Sequence, residues 1–256
     1  ENLEAQKRWF KMHDIAYFHL IAPNKEDVYG EYLKGIRKIK NKDSDRIGLL
    51  VDYLERNNAE CVPVFPLQAL IDAKISSNDL LYYKTDTHWS ALGAYIGYLE
   101  LMKKIKEQYP DLHTLMKNEM SFDSHKHVDN GDLAQMLRVD YTERMKDVDY
   151  VFPEPANGWS YQVVEENKSE EGRLVFLRTI NPNKALKVMV FRDSFTTALQ
   201  PYLSETCHEV LYYWDHDINK HMDVIIKEKP DIVIAETVSR YADNILLRTG
   251  FQEVSN

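Results

Sequence analysis

At 256 residues, with 44% apolar and 29% charged side chains, the sequence can bury a substantial core and is neither disordered nor fibrous in composition. Its 41 acidic residues outnumber 32 basic ones, and the resulting net charge of −9 argues against a nucleic-acid partner, which would call for a basic stripe. No apolar run reaches the roughly 18 to 20 residues that span a bilayer. The chain opens on Glu1 with no basic-then-apolar leader and reads as a processed or excised fragment, so the missing leader says little about location.

The first run, IAYFHLIA (15–22), has the pattern of a buried strand ended by Pro23 and Asn24. SDRIGLLVDYLERNN (44–58) predicts a helix with Ser44 as N-cap and Leu49, Leu50, Tyr53 and Leu54 on one face. CVPVF (61–65) reads as the next strand and PLQALIDAKIS (66–76) as a helix with Pro66 near its first turn. After the polar stretch YYKTDTHWS (82–90), the run 90–108 places Leu92, Tyr95, Ile96, Leu99, Met102 and Ile105 at helical spacing, and Pro110 ends it.

From about 111 to 172 the pattern is irregular and reads as an insertion of short strands and loops. Alternation then returns: strand ALKVMVF (185–191), helix SFTTALQPYL (194–203) ended or kinked by Pro201, strand HEVLYYW (208–214), helix INKHMDVIIKEK (218–229) and strand DIVIAET (231–237). A last helix begins near Arg240. Strands alternating with helices predict an α/β fold, a parallel sheet covered on both faces, in one domain over 1–256. Cys61 and Cys207, each at the start of a strand, read as two buried free thiols, with a disulfide left open.

In such a sheet, sites gather at the carboxyl ends of the strands. Strand 185–191 runs into Arg192-Asp193-Ser194-Phe195, where a helix begins. A serine in that corner has its hydroxyl above the sheet, beside unpaired N–H groups that favour negative charge, which is what an acyl-transfer nucleophile needs. Serine also needs a base held by an acid. In extended chain Asp86 and His88 point to one side, so the carboxylate can take the imidazole Nδ1–H and leave Nε2 for the serine, with Trp89 walling the site. Taken singly, each stretch is more simply read as helix capping; both at strand-to-helix corners make a stronger case.

Two other clusters compete. Asp215, His216 and Asp217 also end a strand, and only Asp217 has the spacing to lean on His216, so this pair ranks second. Asp123, His125, His127 and Asp129 alternate as metal ligands would on a strand, but their spacing matches no zinc motif, and a solvated polar segment is the simpler reading; no metal or cofactor is expected.

With these residues in hand, the chain resembles the SGNH-hydrolase-like (flavodoxin-like) domain of the alginate O-acetyltransferase family, the AlgJ/AlgX type with its DHHW relatives. APNK (22–25), YYKTDTHWSALGAY (82–95), NGDLAQML (130–137), FRDSF (191–195) and PDIVIAETVSRY (230–241) carry the likeness. The resemblance implies an extracytoplasmic enzyme that acetylates the hydroxyls of a polysaccharide, supplied by a membrane acyltransferase of the MBOAT type. Its triad would be Ser194, His88 and Asp86, in an order circularly permuted from SGNH esterases. Arg192 replaces the usual glycine before Asp-Ser, and Asn24 is the candidate for a second oxyanion donor.

Tyr82, Tyr83 and Trp89 are candidates to stack on sugar rings. Lys84, Arg192 and Arg240 would offset the acidic charge near an anionic polymer, and Glu236 with Arg240 would form an ion pair or touch substrate. Three functions remain open on sequence alone. They are a polysaccharide O-acetyltransferase, an acetylesterase with the same triad, and an inactive glycan-binding module of an export complex.

Overall fold

A computed structural model describes residues 2–33, 46–128, 131–138 and 149–242. In chain order they form α1 (Asn2–Met12), β1 (Ala16–Ala22), α2 (Lys25–Val28), α3 (Arg46–Arg56), α4 (Leu67–Ser76) and α5 (Ala91–Ile105). Short pieces follow: β2 (Met120–Ser121), β3 (His125–His127), α6 (Asp132–Leu137), β4 (Asp149–Val151) and β5 (Glu154–Pro155). The rest is β6 (Gln162–Lys168), β7 (Leu174–Ile180), β8 (Lys187–Phe191), α7 (Gln200–Thr206), β9 (Glu209–Tyr213), α8 (Met222–Glu228) and β10 (Ile232–Val238).

The main sheet runs β1-β10-β8-β9-β7-β6. Its first four strands are parallel, and β7 and β6 continue it as an antiparallel edge. Side chains alternate between two cores, which explains the unbroken apolar runs of the parallel strands. Val188, Val190, Ile232 and Ile234 share one core with Tyr95 and Tyr98 of α5 and Tyr202 of α7. Met189, Leu211 and Val233 share the other with Trp9 and Phe10 of α1 and Ile225 of α8. This is an α/β sandwich, with helices packed on both faces of the sheet.

Several sequence expectations change. CVPVF forms no strand: Val64 makes one parallel bridge beside Leu20, and Pro63, which has no N–H, interrupts the ladder there. The expected insertion ends earlier, because 162–168 and the unforeseen 174–180 are the sheet's own edge hairpin. Pro201 begins α7 rather than ending a helix, where its missing N–H costs nothing. The buried side of α3 is Ile47 with partly buried Leu50, Val51 and Leu54, while Leu49 and Tyr53 are exposed. Ser44 and most of the last predicted helix lie outside the described residues. Both cysteines are free and buried, one in each core, Cys207 closing α7 just before β9.

Candidate active site

Strand β8 delivers the RDSF corner to the carboxyl edge of the sheet. Asp193 fixes it, accepting the Phe195 N–H on Oδ1 and the Val238 N–H on Oδ2, both at 2.8 Å, so the corner is tied to the end of β10. Ser194 then opens a 3-10 turn over Phe195–Ala198, but its side chain makes no capping bond to that turn. Its partner lies 106 positions away in sequence: Ser194 Oγ and His88 Nε2 are 2.6 Å apart. Among the described residues, no hydrogen bond of the protein occupies the Ser194 N–H.

The base is set by a loop rather than by an extended strand. Tyr82 and Trp89 bridge across it, and Asp86 Oδ1 accepts the His88 backbone N–H at 2.8 Å. An aspartate bonding the N–H two residues on is an Asx turn, and it places the same oxygen 2.5 Å from His88 Nδ1. Because a carboxylate only accepts, Nδ1 carries the proton and Nε2 accepts from the serine hydroxyl.

Two segments hold this loop. Asp132, at the start of α6, donates its N–H to Asp86 Oδ2 at 3.0 Å, while its carboxylate takes the Thr87 N–H and hydroxyl at 2.7 and 2.5 Å. Gly131 makes the approach possible, since a Cβ there would sit 2.5 Å from that of Asp86. From the other side Lys25 Nζ donates to the carbonyls of Tyr83, Lys84 and Asp86 at 2.6, 2.9 and 3.0 Å. Burial pushes the Asp86 carboxyl up, but the His88 and Asp132 hydrogen bonds outweigh it and hold it down at about 2.

Trp89 lies over Gly97 of α5, whose Cβ position is 3.0 Å from the indole ring, and donates its N–H to the Phe195 carbonyl at 2.8 Å. Above the pair opens a cleft of about 520 Å³, lined by Tyr83, Lys126, Phe152, Trp159, Thr197 and Tyr202 among others. Lys126 stands over the Phe152 ring and Trp159 packs edge-on to Tyr202. One side of this wall, with Lys126, Phe152 and Trp159, belongs to the irregular segment 111–172, whose sequence pattern marks no cleft residue.

The structure brings Ser194, His88, Asp86, Trp89 and Tyr83 together at the cleft and separates Tyr82, Arg192, Asn24 and Arg240 from it. Tyr82 is buried, with its hydroxyl bonded to the Pro23 carbonyl, whereas its neighbour Tyr83 faces the cleft as expected. Arg192 is 1% exposed and stacks on Trp214 at 4.4 Å, bonding Leu174 O, Asp193 O and Thr197 Oγ1, so its charge does not reach substrate. Burial, the larger effect, pulls its pKa down to about 10 against the pull of Glu236 and Asp193. Asn24 does not line the cleft; its Oδ1 accepts from Arg240, which leans over Phe195.

Arg240 is therefore not the partner of Glu236. The rival base is not assembled either, because Asp215 pairs with His221 at 3.1 Å and Asp217 meets Lys220. His125 and His127 share one exposed face of β3, and Asp129 lies outside the described residues. Among the described residues, the one group close enough to share a metal is Asp86, His88 and Asp132. Their facing atoms are already engaged with one another and with Thr87.

A parallel α/β sheet with a serine, a histidine and an aspartate in one hydrogen-bonded line at its carboxyl edge defines a protein of the SGNH-hydrolase class. The family profile described as "SGNH hydrolase-like domain, acetyltransferase AlgX" matches residues 1–224, and the chain belongs to that family. No curated protein matches it in sequence. Solved structures do match in fold. Bacillus cereus PatB1 has 15% identity and a TM-score of 0.66, covering 94% of this chain and 88% of that one. A DHHW family protein from Eubacterium siraeum has 16% identity and a TM-score of 0.67, with 98% and 89% covered. The O-acetyltransferase domain of Pseudomonas putida AlgJ has 16% identity and a TM-score of 0.59, with 93% and 80% covered.

Proposed function

We propose that the chain is a polysaccharide O-acetyltransferase working through an acetyl ester on Ser194, as one catalytic domain in an extracytoplasmic compartment. The observation that carries this reading is the hydrogen-bonded line from Asp86 through His88 to a serine hydroxyl that has no other partner among the described residues. His88 takes the Ser194 proton as Oγ attacks the acetyl donor, and Asp86 steadies the resulting imidazolium. The Ser194 N–H is available to the tetrahedral oxyanion. His88 then returns the proton to the leaving group and activates a sugar hydroxyl, which takes the acetyl from Ser194.

The cleft supports a glycan acceptor because Tyr83, Phe152 and Trp159 offer aromatic surface beside the serine. The acetyl source on this reading is a membrane acyltransferase of the MBOAT type, in keeping with the family. No helix among the described residues is long and apolar enough to cross a membrane. The test supplies a small acetyl ester with and without oligosaccharides and follows the protein by intact mass. An acetylated Ser194 that passes its group to sugar supports the proposal. Hydrolysis without transfer to any glycan makes the protein an esterase, and absence of an acyl-enzyme in the presence of glycan binding makes it a binding module.

A further inference from the structure

Glu236 projects from β10 onto the nucleophile turn with 1% exposure. Its Oε2 accepts the Asp193 N–H at 3.2 Å and the Thr196 hydroxyl at 2.7 Å, the two residues that bracket Ser194 and Phe195. Its Oε1 is buried, and no hydrogen bond reaches it. Asp193, the neighbouring carboxylate, spends both oxygens accepting backbone N–H groups. Arg192 is the cation of this cluster, and its hydrogen bonds go to carbonyls and to Thr197 rather than to either carboxylate.

One guanidinium balances one buried carboxylate, not two. A second ionised group with a naked oxygen would carry a desolvation cost that Arg192, which hydrogen-bonds neither carboxylate, offsets only in part. We propose that Glu236 is a protonated carboxylic acid that positions the nucleophile, holding both ends of the turn around Ser194 without placing a second negative charge against it. Burial first, and the charge of Asp193 second, push the Glu236 carboxyl well above the ordinary range, in the same direction as the geometry. The chemistry gains from neutrality: negative charge develops on the substrate oxygen beside the Ser194 N–H, and an ionised Glu236 in a low-dielectric site would oppose it.

This inference rests on Ser194 being the nucleophile, and its test separates the two. The substrate-free wild-type protein is expected to show the infrared carbonyl stretch of a protonated carboxylic acid at neutral pH, lost in Glu236→Gln; no such band overturns the inference. Glu236→Leu should slow both turnover of a small acetyl ester and sulfonyl fluoride labelling of Ser194 by about tenfold or more with KM little changed, as misplacement of a reacting group does. Glu236→Gln, which keeps an accepting oxygen without charge, should restore most of that rate.

Equal damage from Gln and Leu, or none from Leu, overturns the proposal. Should the Leu variant not fold, Thr196→Val removes one of the two bonds, and a labelling rate equal to wild type counts against it. Retained activity in Ser194→Ala defeats the nucleophile assignment and leaves the infrared result to stand by itself.

Discussion

The Asp132 amide meets the Asp86 carboxylate in a single hydrogen bond of 3.0 Å, leaving Asp86 Oδ1 for both donors of His88. That bond exists because Gly131 lets α6 lie directly on the loop. Gly131→Ala drives a methyl group into Thr85 and Asp86. It is expected to cost about 1–3 kcal/mol, as overpacking does. Urea denaturation reads the stability loss, and a matching fall in ester turnover reads the displaced acid; an unchanged midpoint refutes the contact.

Asp86 also makes stability depend on acid. Its carboxyl is held at about 2 rather than 3.8. An acid depressed on folding stabilises the protein above its unfolded value and loses that contribution as pH falls through the folded one. Denaturation midpoints should therefore drop between about pH 4 and pH 2, and Asp86→Asn should flatten that part of the profile. A slope identical in the two proteins would show that other carboxylates govern acid unfolding.

Lys25 has no atom in the cleft lining, yet its ammonium gathers three carbonyls of the loop that carries the acid and base. Lys25→Met should lower kcat about 10- to 100-fold on a small ester with little change in KM, since it frees the loop without touching substrate. A KM-only effect would place Lys25 in substrate binding instead.

Ser194→Ala and His88→Ala should each remove about 10⁴-fold or more of ester turnover, the loss seen when members of such a triad are deleted. His216→Ala should leave the rate unchanged, because the acids beside it already pair with His221 and Lys220. Comparable loss from His216→Ala would reinstate the rival.

Trp159 presents its ring to the cleft while packing on Tyr202. Trp159→Ala should raise KM for an oligosaccharide acceptor by about tenfold, in line with the loss of an aromatic contact worth around 1 kcal/mol or more. Turnover of a small acetyl ester, which does not need that surface, should move little. Parallel loss on both substrates would assign Trp159 to folding.

The parallel strands and the helices between them were legible because their signals are local: unbroken apolar runs and 3.6-residue spacing. The antiparallel edge was not, since exposed β6 reads QVVEENK, a polar run whose place in the sheet depends on β7 rather than on its own pattern. At the site, the residue types of Ser194, His88 and Asp86 could be read at their corners, but the reason they meet could not. An Asx turn, not strand alternation, sets the acid on the base. Asp132 lies within NGDLAQML and Lys25 within APNK, yet a backbone N–H donor and a carbonyl clamp leave little trace in residue identity. Arg192 and Tyr82 were misplaced for a related reason: polarity suggested exposure, whereas stacking on Trp214 and a bond to Pro23 bury them.

The indole bond from Trp89 to the Phe195 carbonyl joins the residue after His88 to the residue after Ser194. Two ribbons distant in sequence are thus riveted one position beyond the reacting pair, so neither can drift without shearing the rivet. The solvent exchange of that one indole proton becomes a gauge of whether the machinery is closed, legible even in a protein whose serine has been removed.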